Sequence, residues 1–277
     1  EYYAILLLSL SGAYIMVLAD DLLVLFLGLE LMSFGFYVLA GFERTSSRSA
    51  EAALKYFLTG AFASALLVYG IMLTYAFAGG TSFEAVQAGV ARGALKRPVG
   101  FAAVMLLLTG LGFKVAAVPF HQWLPDVYEG SPTSAVGFFA ATAKIGAFAA
   151  LIRVLDILAA GSSVWLPSLR ALAIVTMIFG NLIAISQTNV KRMLGYSAIA
   201  HAGYLLAAMV CVSMRYVSGA GVRSGIPAMN ATVFYLLAYS LATLGAFGVL
   251  AYLTTRGRDV QTLDQIRGLV RTDTAAA

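Results

Sequence analysis

Glu30, Lys114, Lys144 and His201 are ionisable side chains near the middle of four different apolar runs, a setting in which each needs a counter-charge, a proton or water. Glu30 lies on the order of 12 Å from the nearer end of its run at about 1.5 Å per residue, too deep for its carboxylate to reach an interface by stretching. Left unpaired there, a carboxylate would cost roughly 2.5–3.5 kcal/mol on membrane-insertion scales. Burial favours the neutral form of an amine, and a neighbouring carboxylate favours the charged form. A lysine whose carboxylate partner can be withdrawn or neutralised is therefore a proton site with a switch. The chemistry these residue types suggest is proton transfer. Glu30 would pair with Lys114, and weakening of that pair would pass a proton towards Lys144 through hydrated Ser, Thr, Tyr and His side chains. The same residues would equally serve as a static buried ion pair and as polar contacts holding helices together. A lone histidine is more often a satisfied structural residue than a relay, and only the depth of His201, similar to that of the other three, brings the two readings level and places it in the set.

The element that must position Lys114 is the stretch 110–132, GLGFKVAAVPFHQWLPDVYEGSP. Pro119 has no amide hydrogen and its ring clashes with the carbonyl four residues back, at Val115, so the helix carrying Lys114 is expected to bend or break near residues 114–119. Non-helical backbone at membrane depth is tolerated where it is buried in protein or faces a water-filled cavity, which makes this stretch the expected centre of a transport path. The plainer alternative is a proline-kinked helix whose lysine reaches the headgroups. Downstream, LPDVYEGSP reads as a turn-rich surface segment carrying Asp126 and Glu129, and Trp123 and Tyr128 suit an interfacial aromatic belt.

Of the 277 residues, 61% are hydrophobic and 11% charged, against about 25% charged in a soluble domain. Apolar runs of 18 or more residues recur along the chain, the pattern of an all-α, polytopic transmembrane helix bundle. Barrel strands would alternate over about ten residues, and these runs do not. About eight spans are expected, near 2–19, 22–41, 50–78, 99–123, 133–158, 165–187, 193–214 and 229–253. Residues 47–51 could cap the third span, and 83–92 could form a short surface helix in the longest connection. In the fifth span Gly137, Ala141, Gly146 and Ala147 flank Lys144 with small residues that admit a neighbouring helix, which turns the lysine towards the bundle. The seventh carries Ser197 beside His201, and the eighth carries Tyr235, Tyr239, Ser240 and Thr243 without a charge.

A net charge of +5 would point to nucleic acid in a soluble protein, but here the basic residues sit mainly in loops, so the bilayer is the expected partner and nucleic acid is not. Arg44, Arg48, Lys55, Lys191, Arg192, Arg256 and Arg258 gather on one face, and Arg92, Lys96, Arg97, Arg215 and Arg223 on the other. That excess places the first face, with the amino end, in the cytoplasm. Lys55 reads as an interfacial anchor, and Lys191 and Arg192 as topology charges. Cys211 is the single cysteine, which excludes an internal disulfide, and there is no CxxC, HExxH or Gly-rich phosphate loop, so no metal or cofactor is expected in this chain. The chain opens EYYAILLL without an initiating Met and closes RTDTAAA soon after a span, so further helices are expected at either end.

The strings FLGLELMS, GFKVAAVPFHQWLPDVYEGSPT, TAKIGAF and GNLIAISQTNVKRMLGYSAIAHAGYLL resemble the antiporter-like membrane subunits of respiratory complex I, which share a scaffold with the homologous subunits of multisubunit cation/proton antiporters. They run from the second helix to the seventh. PFHQWLPDVYEGSPT is highly specific, and the GYSAIAHAGY wording is nearest to the subunit N type of NADH-quinone oxidoreductase. The resemblance implies a single membrane domain belonging to a fold of about fourteen helices, built on inverted five-helix repeats that each contain one interrupted helix. Residues 1–160 would be the first repeat and 161–277 the start of the second. By the same resemblance Glu30 is the glutamate of the helix before the amphipathic loop, Lys114 the lysine of the first broken helix, Lys144 the central connecting lysine, and His201 a position continuing the polar axis. The three helices ahead of the first repeat would be missing, as would a second broken helix with its own lysine, expected after Arg271.

For function the resemblance implies a proton-translocating subunit in a bacterial plasma membrane, or otherwise an energy-converting organelle membrane, among other membrane-arm subunits. Flavin, iron-sulfur clusters, NADH and quinone would belong to partner subunits. The energy of NADH oxidation would arrive by conformational or electrostatic coupling. A cation/proton antiporter subunit and a non-transporting assembly scaffold are the alternatives.

Overall fold

The computed structural model describes residues 1–218, 226–255, 260–267 and 269. Arg223, Arg256, Arg258 and Arg271 lie outside the described residues, as does the side chain of Arg215. Among the described residues the α-helices are α1 (Tyr2–Leu18), α2 (Leu22–Ala40), α3 (Ser47–Ala78), α4 (Phe83–Ala91), α5 (Pro98–Val115), α6 (Trp123–Gly130), α7 (Thr133–Ile157), α8 (Ser162–Ile185), α9 (Val190–Ser218) and α10 (Ile226–Thr255), and there is no β-strand. Seven of them, α2, α3, α5, α7, α8, α9 and α10, are long and apolar enough to cross a membrane. The eighth expected span is α1, apolar throughout but 17 residues long.

Local chemistry sets the helix ends. Asp21 opens α2 by accepting the Leu23 amide at 2.7 Å, and Ser46, one residue ahead of the expected capping segment, accepts the Ser49 amide at 3.3 Å to open α3. Gly79 closes α3 at φ 79°, a left-handed conformation that favours glycine. The expected surface helix forms as α4, with Val86 and Val90 buried against the bundle.

α1 and α2 meet through glycines. A Cβ on Gly28 would fall 2.5 Å from the Met16 amide nitrogen, and one on Gly12 would fall 2.4 Å from the Met32 amide nitrogen, so the two backbones touch where larger residues would separate them. The most enclosed span is α7, 67% buried, whereas α8 and α10 are the least enclosed at 22% and 28%, and Lys144 therefore rides on the central helix. α7 is tied to α1 near both ends. Tyr2 donates to Ser134 Oγ at 3.3 Å, and Arg153 donates to the Val17 carbonyl at 2.6 Å and to the Asp20 carboxylate, with its guanidinium over the Phe83 ring.

Candidate functional site

The expected break falls between α5 and α6. α5 stops at Val115, and Ala116 takes a left-handed φ of 60°. The Ala117 amide then returns to the Gly112 carbonyl at 2.8 Å and the Ala116 amide to the Phe113 carbonyl at 3.0 Å, the paired bonds that end a helix in a Schellman turn. Glycine is the usual residue at the left-handed position, and here an alanine holds it, at about 1–2 kcal/mol of backbone strain. Lys114 thus occupies the last turn of α5, where the carbonyl end of the helix dipole favours a cation. After the Val118–Pro119 cis bond the chain resumes as α6, so 123–130 is helical where the sequence suggested turns.

Lys114 is 5% exposed, and its ammonium reaches two hydroxyls of α2: Ser33 Oγ at 2.7 Å and the Tyr37 hydroxyl at 3.4 Å. Ser33 passes its own hydrogen bond to the Leu29 carbonyl at 2.5 Å. Aromatic rings enclose the ammonium, with the Tyr37 centroid at 5.7 Å and the Phe113 centroid at 5.5 Å. Behind them Trp123 stacks on Tyr56 at 4.4 Å and on Phe113 at 5.2 Å, and the Trp123 indole N–H donates to the Phe113 carbonyl at 3.2 Å. Trp123 and Tyr128 are therefore interior side chains, 5% and 2% exposed, and not the interfacial belt their types suggested.

Glu30 lies on α2 one turn before Ser33, and its carboxylate accepts from Ser64 of α3 at 2.5 Å. Among the described residues no ion pair joins Glu30 to Lys114. The two belong to one neighbourhood, but a serine stands in front of each charge.

Lys144 is 3% exposed and donates to the Ala198 carbonyl on α9, with its ammonium 5.0 Å from the Tyr239 ring centroid. His201 shares that ring, 5.1 Å between centroids, and its Nδ1 lies 2.5 Å from the Tyr235 hydroxyl. The fold therefore gathers the expected residues into two groups: Glu30 with Lys114 between α2, α3 and α5, and Lys144 with His201 between α7, α9 and α10.

A third charged cluster holds α6. Asp126 accepts from Lys55 at 2.8 Å and from Arg192 at 2.6 Å, and Glu129 accepts from Arg192 at 2.9 Å. Lys191 donates to the Ser131 carbonyl at 2.8 Å. Burial works against the Asp126 charge, but the bonds from Lys55 and Arg192 outweigh it and hold the carboxyl below the usual carboxylate range. Arg192 and Lys191 are thus structural ligands of the half-helix as well as loop charges. With Arg48 and Glu51, the four ionised side chains of the Asp126 cluster line a cavity of about 190 Å³.

Nothing in the sequence alone marks Ser64 and Tyr239 as partners of the ionisable set. Ser33 and Tyr37 carried a signal, since they follow Glu30 at helical spacing and share its face of α2.

Residues 19–277 match the family described as "NADH:quinone oxidoreductase/Mrp antiporter, TM". The chain is 45% identical to NADH-quinone oxidoreductase subunit N 1 of Sorangium cellulosum, over 100% of this chain and 55% of that protein. It overlays a chain of respiratory complex I from Thermus thermophilus with bound aureothin at a TM-score of 0.78 and 36% identity, covering 99% of this chain and 56% of that one. It also overlays a chain of the Mrp complex from Dietzia sp. DQ12-45-1b at a TM-score of 0.81 and 23% identity, over 98% of this chain and 48% of that one, a likeness of fold. The chain spans about half the length of the relatives it matches.

Proposed function

The chain belongs to the NADH:quinone oxidoreductase/Mrp antiporter family of membrane proteins, and from that premise we propose that it carries a proton-translocating half of a subunit N-type component of NADH-quinone oxidoreductase. In this reading it sits in a bacterial plasma membrane among other membrane-arm subunits, and flavin, iron-sulfur clusters, NADH and quinone belong to partner subunits. Residues 1–160 form the first five-helix repeat, and 161–277 begin the second.

The observation that supports the reading is how the two buried lysines are held. Lys114 meets hydroxyls and Lys144 meets a main-chain carbonyl, each beside an aromatic face. A hydroxyl can donate or accept, and a carbonyl accepts from an amine as well as from an ammonium, so both sites accommodate loaded and unloaded lysine. A tight ion pair would fix the charge instead. Glu30 then acts across Ser33 and Ser64 as a remote electrostatic control on Lys114, and His201 continues the path beyond Lys144.

The test is proton pumping measured beside NADH-quinone electron transfer in membranes carrying the full complex with Lys114→Ala, with assembly followed in the same preparation. Pumping is expected to fall on the order of a hundredfold at normal assembly, and Ser33→Ala to lower it less. Normal pumping and electron transfer in an assembled Lys114→Ala complex would leave the lysine as helix glue and return the chain to a scaffold role. Absence of flavin and iron-sulfur subunits from the purified complex would favour the cation/proton antiporter alternative.

A further inference from the structure

The amide of Val118, the residue before Pro119, donates to Oγ1 of Thr176 at 3.0 Å, in a buried bond that spans 58 residues of sequence. Thr176 is 0% exposed and lies on the stripe Trp165, Leu169, Ala173, Thr176 and Gly180 that α8 buries. Thr59, Thr74, Thr109, Thr232 and Thr254 each spend the hydroxyl on their own helix, donating to the carbonyl four residues back. Thr176 turns its oxygen to the break between α5 and α6. The amides of Ala116 and Ala117 are already taken by Phe113 and Gly112, so Val118 carries the next donor the break leaves free. A buried amide without an acceptor is strongly disfavoured, and here the acceptor comes from α8.

We propose that Thr176 is the positioning residue of the broken helix: its hydroxyl fixes segment 116–118 and thereby the last turn of α5, from which Lys114 reaches Ser33 and Tyr37. Thr176 touches neither lysine and acts through the backbone. The proposal rests on the reading of Lys114 as a proton carrier.

The experiment compares Thr176→Val, which keeps the branched shape and removes the acceptor, with Thr176→Ser, which restores it, in the full-length subunit within the assembled complex. Lys114→Ala runs in parallel. Thr176→Val is expected to lower pumping on the order of tenfold, and Thr176→Ser to stay within about twofold of the native protein. Native pumping in Thr176→Val overturns the inference, and so does a fall in Thr176→Ser as deep as that in Thr176→Val, because packing would then be the cause. If Thr176→Val does not assemble, Thr176→Ala takes its place: low pumping in Ala with native pumping in Ser supports the role, and native pumping in both overturns it. Intact pumping in Lys114→Ala sinks the transport reading itself. Lost pumping there beside a normal Thr176→Val sinks only the role of Thr176.

Discussion

Lys144 of α7 donates to the main-chain carbonyl of Ala198 on α9, one turn ahead of His201 on the same helix. The lysine is thereby delivered to the helix that carries the histidine, and the Tyr239 ring touches both. A fixed cation and a proton carrier would use this contact differently.

Lys144→Arg separates those roles. Arginine keeps the charge and a donor for the Ala198 carbonyl, but its guanidinium does not release a proton in proteins. Assembled complexes with Lys144→Arg and Lys144→Met are both expected to lose pumping, on the order of a hundredfold. Pumping restored by arginine would make Lys144 a tether, and proton-flux measurement in sealed vesicles decides the matter.

Gly28→Ala is expected to loosen the contact of α1 with α2. The added Cβ would meet the Met16 amide nitrogen at 2.5 Å, and backbone cannot swing aside as a side chain can. The cost is about 1–3 kcal/mol, read as a lower thermal midpoint of the purified protein in detergent. Gly12→Ala should shift the midpoint in the same direction, and an unchanged midpoint in both would mean that the helices part without penalty.

Asp126 sets an acid limit. Its folded pKa is depressed because, against the burial that opposes its charge, the bonds from Lys55 and Arg192 prevail. Such a group contributes stability that is complete above the unfolded value, about 4, and is lost as pH falls through the folded value. Thermal midpoints are therefore expected to drop as pH falls below about 4, and Asp126→Asn to lower the plateau above that pH while flattening the drop. Superimposable profiles for the native and Asn proteins would remove the α6 cluster from the account of stability.

Seven of the eight expected spans and the break were legible because each rests on local chemistry: long apolar runs, and a proline that cannot complete a helical ladder. What closes the break was not. Alanine has no preference for the left-handed turn that Ala116 adopts, and Thr176 stands far away in sequence. The four deep ionisable residues stood out by type, but their partners are serines, tyrosines and a main-chain carbonyl, which look ordinary in an apolar helix until the helices are set side by side. Trp123 misleads for a related reason. An amphipathic ring near a helix end suits the interface, and only the stack on Tyr56 from α3 shows it to be interior. Lys191 and Arg192 looked like loop charges because Asp126, Glu129 and the Ser131 carbonyl belong to an element some 60 residues earlier.

The ties between α1 and α7 bear on the motion that the proposed transport would need. An axial slip of α7 along α1 by a single residue's rise, about 1.5 Å, would strain the Tyr2–Ser134 bond, already 3.3 Å long, at one end and the Arg153–Val17 bond at the other. In the proposed cycle, then, α7 would serve as a stator relative to α1 and not as a piston. In that cycle Lys144 would part from Ala198 by a swing of the lysine's four-carbon arm, or by α9 carrying its carbonyl away.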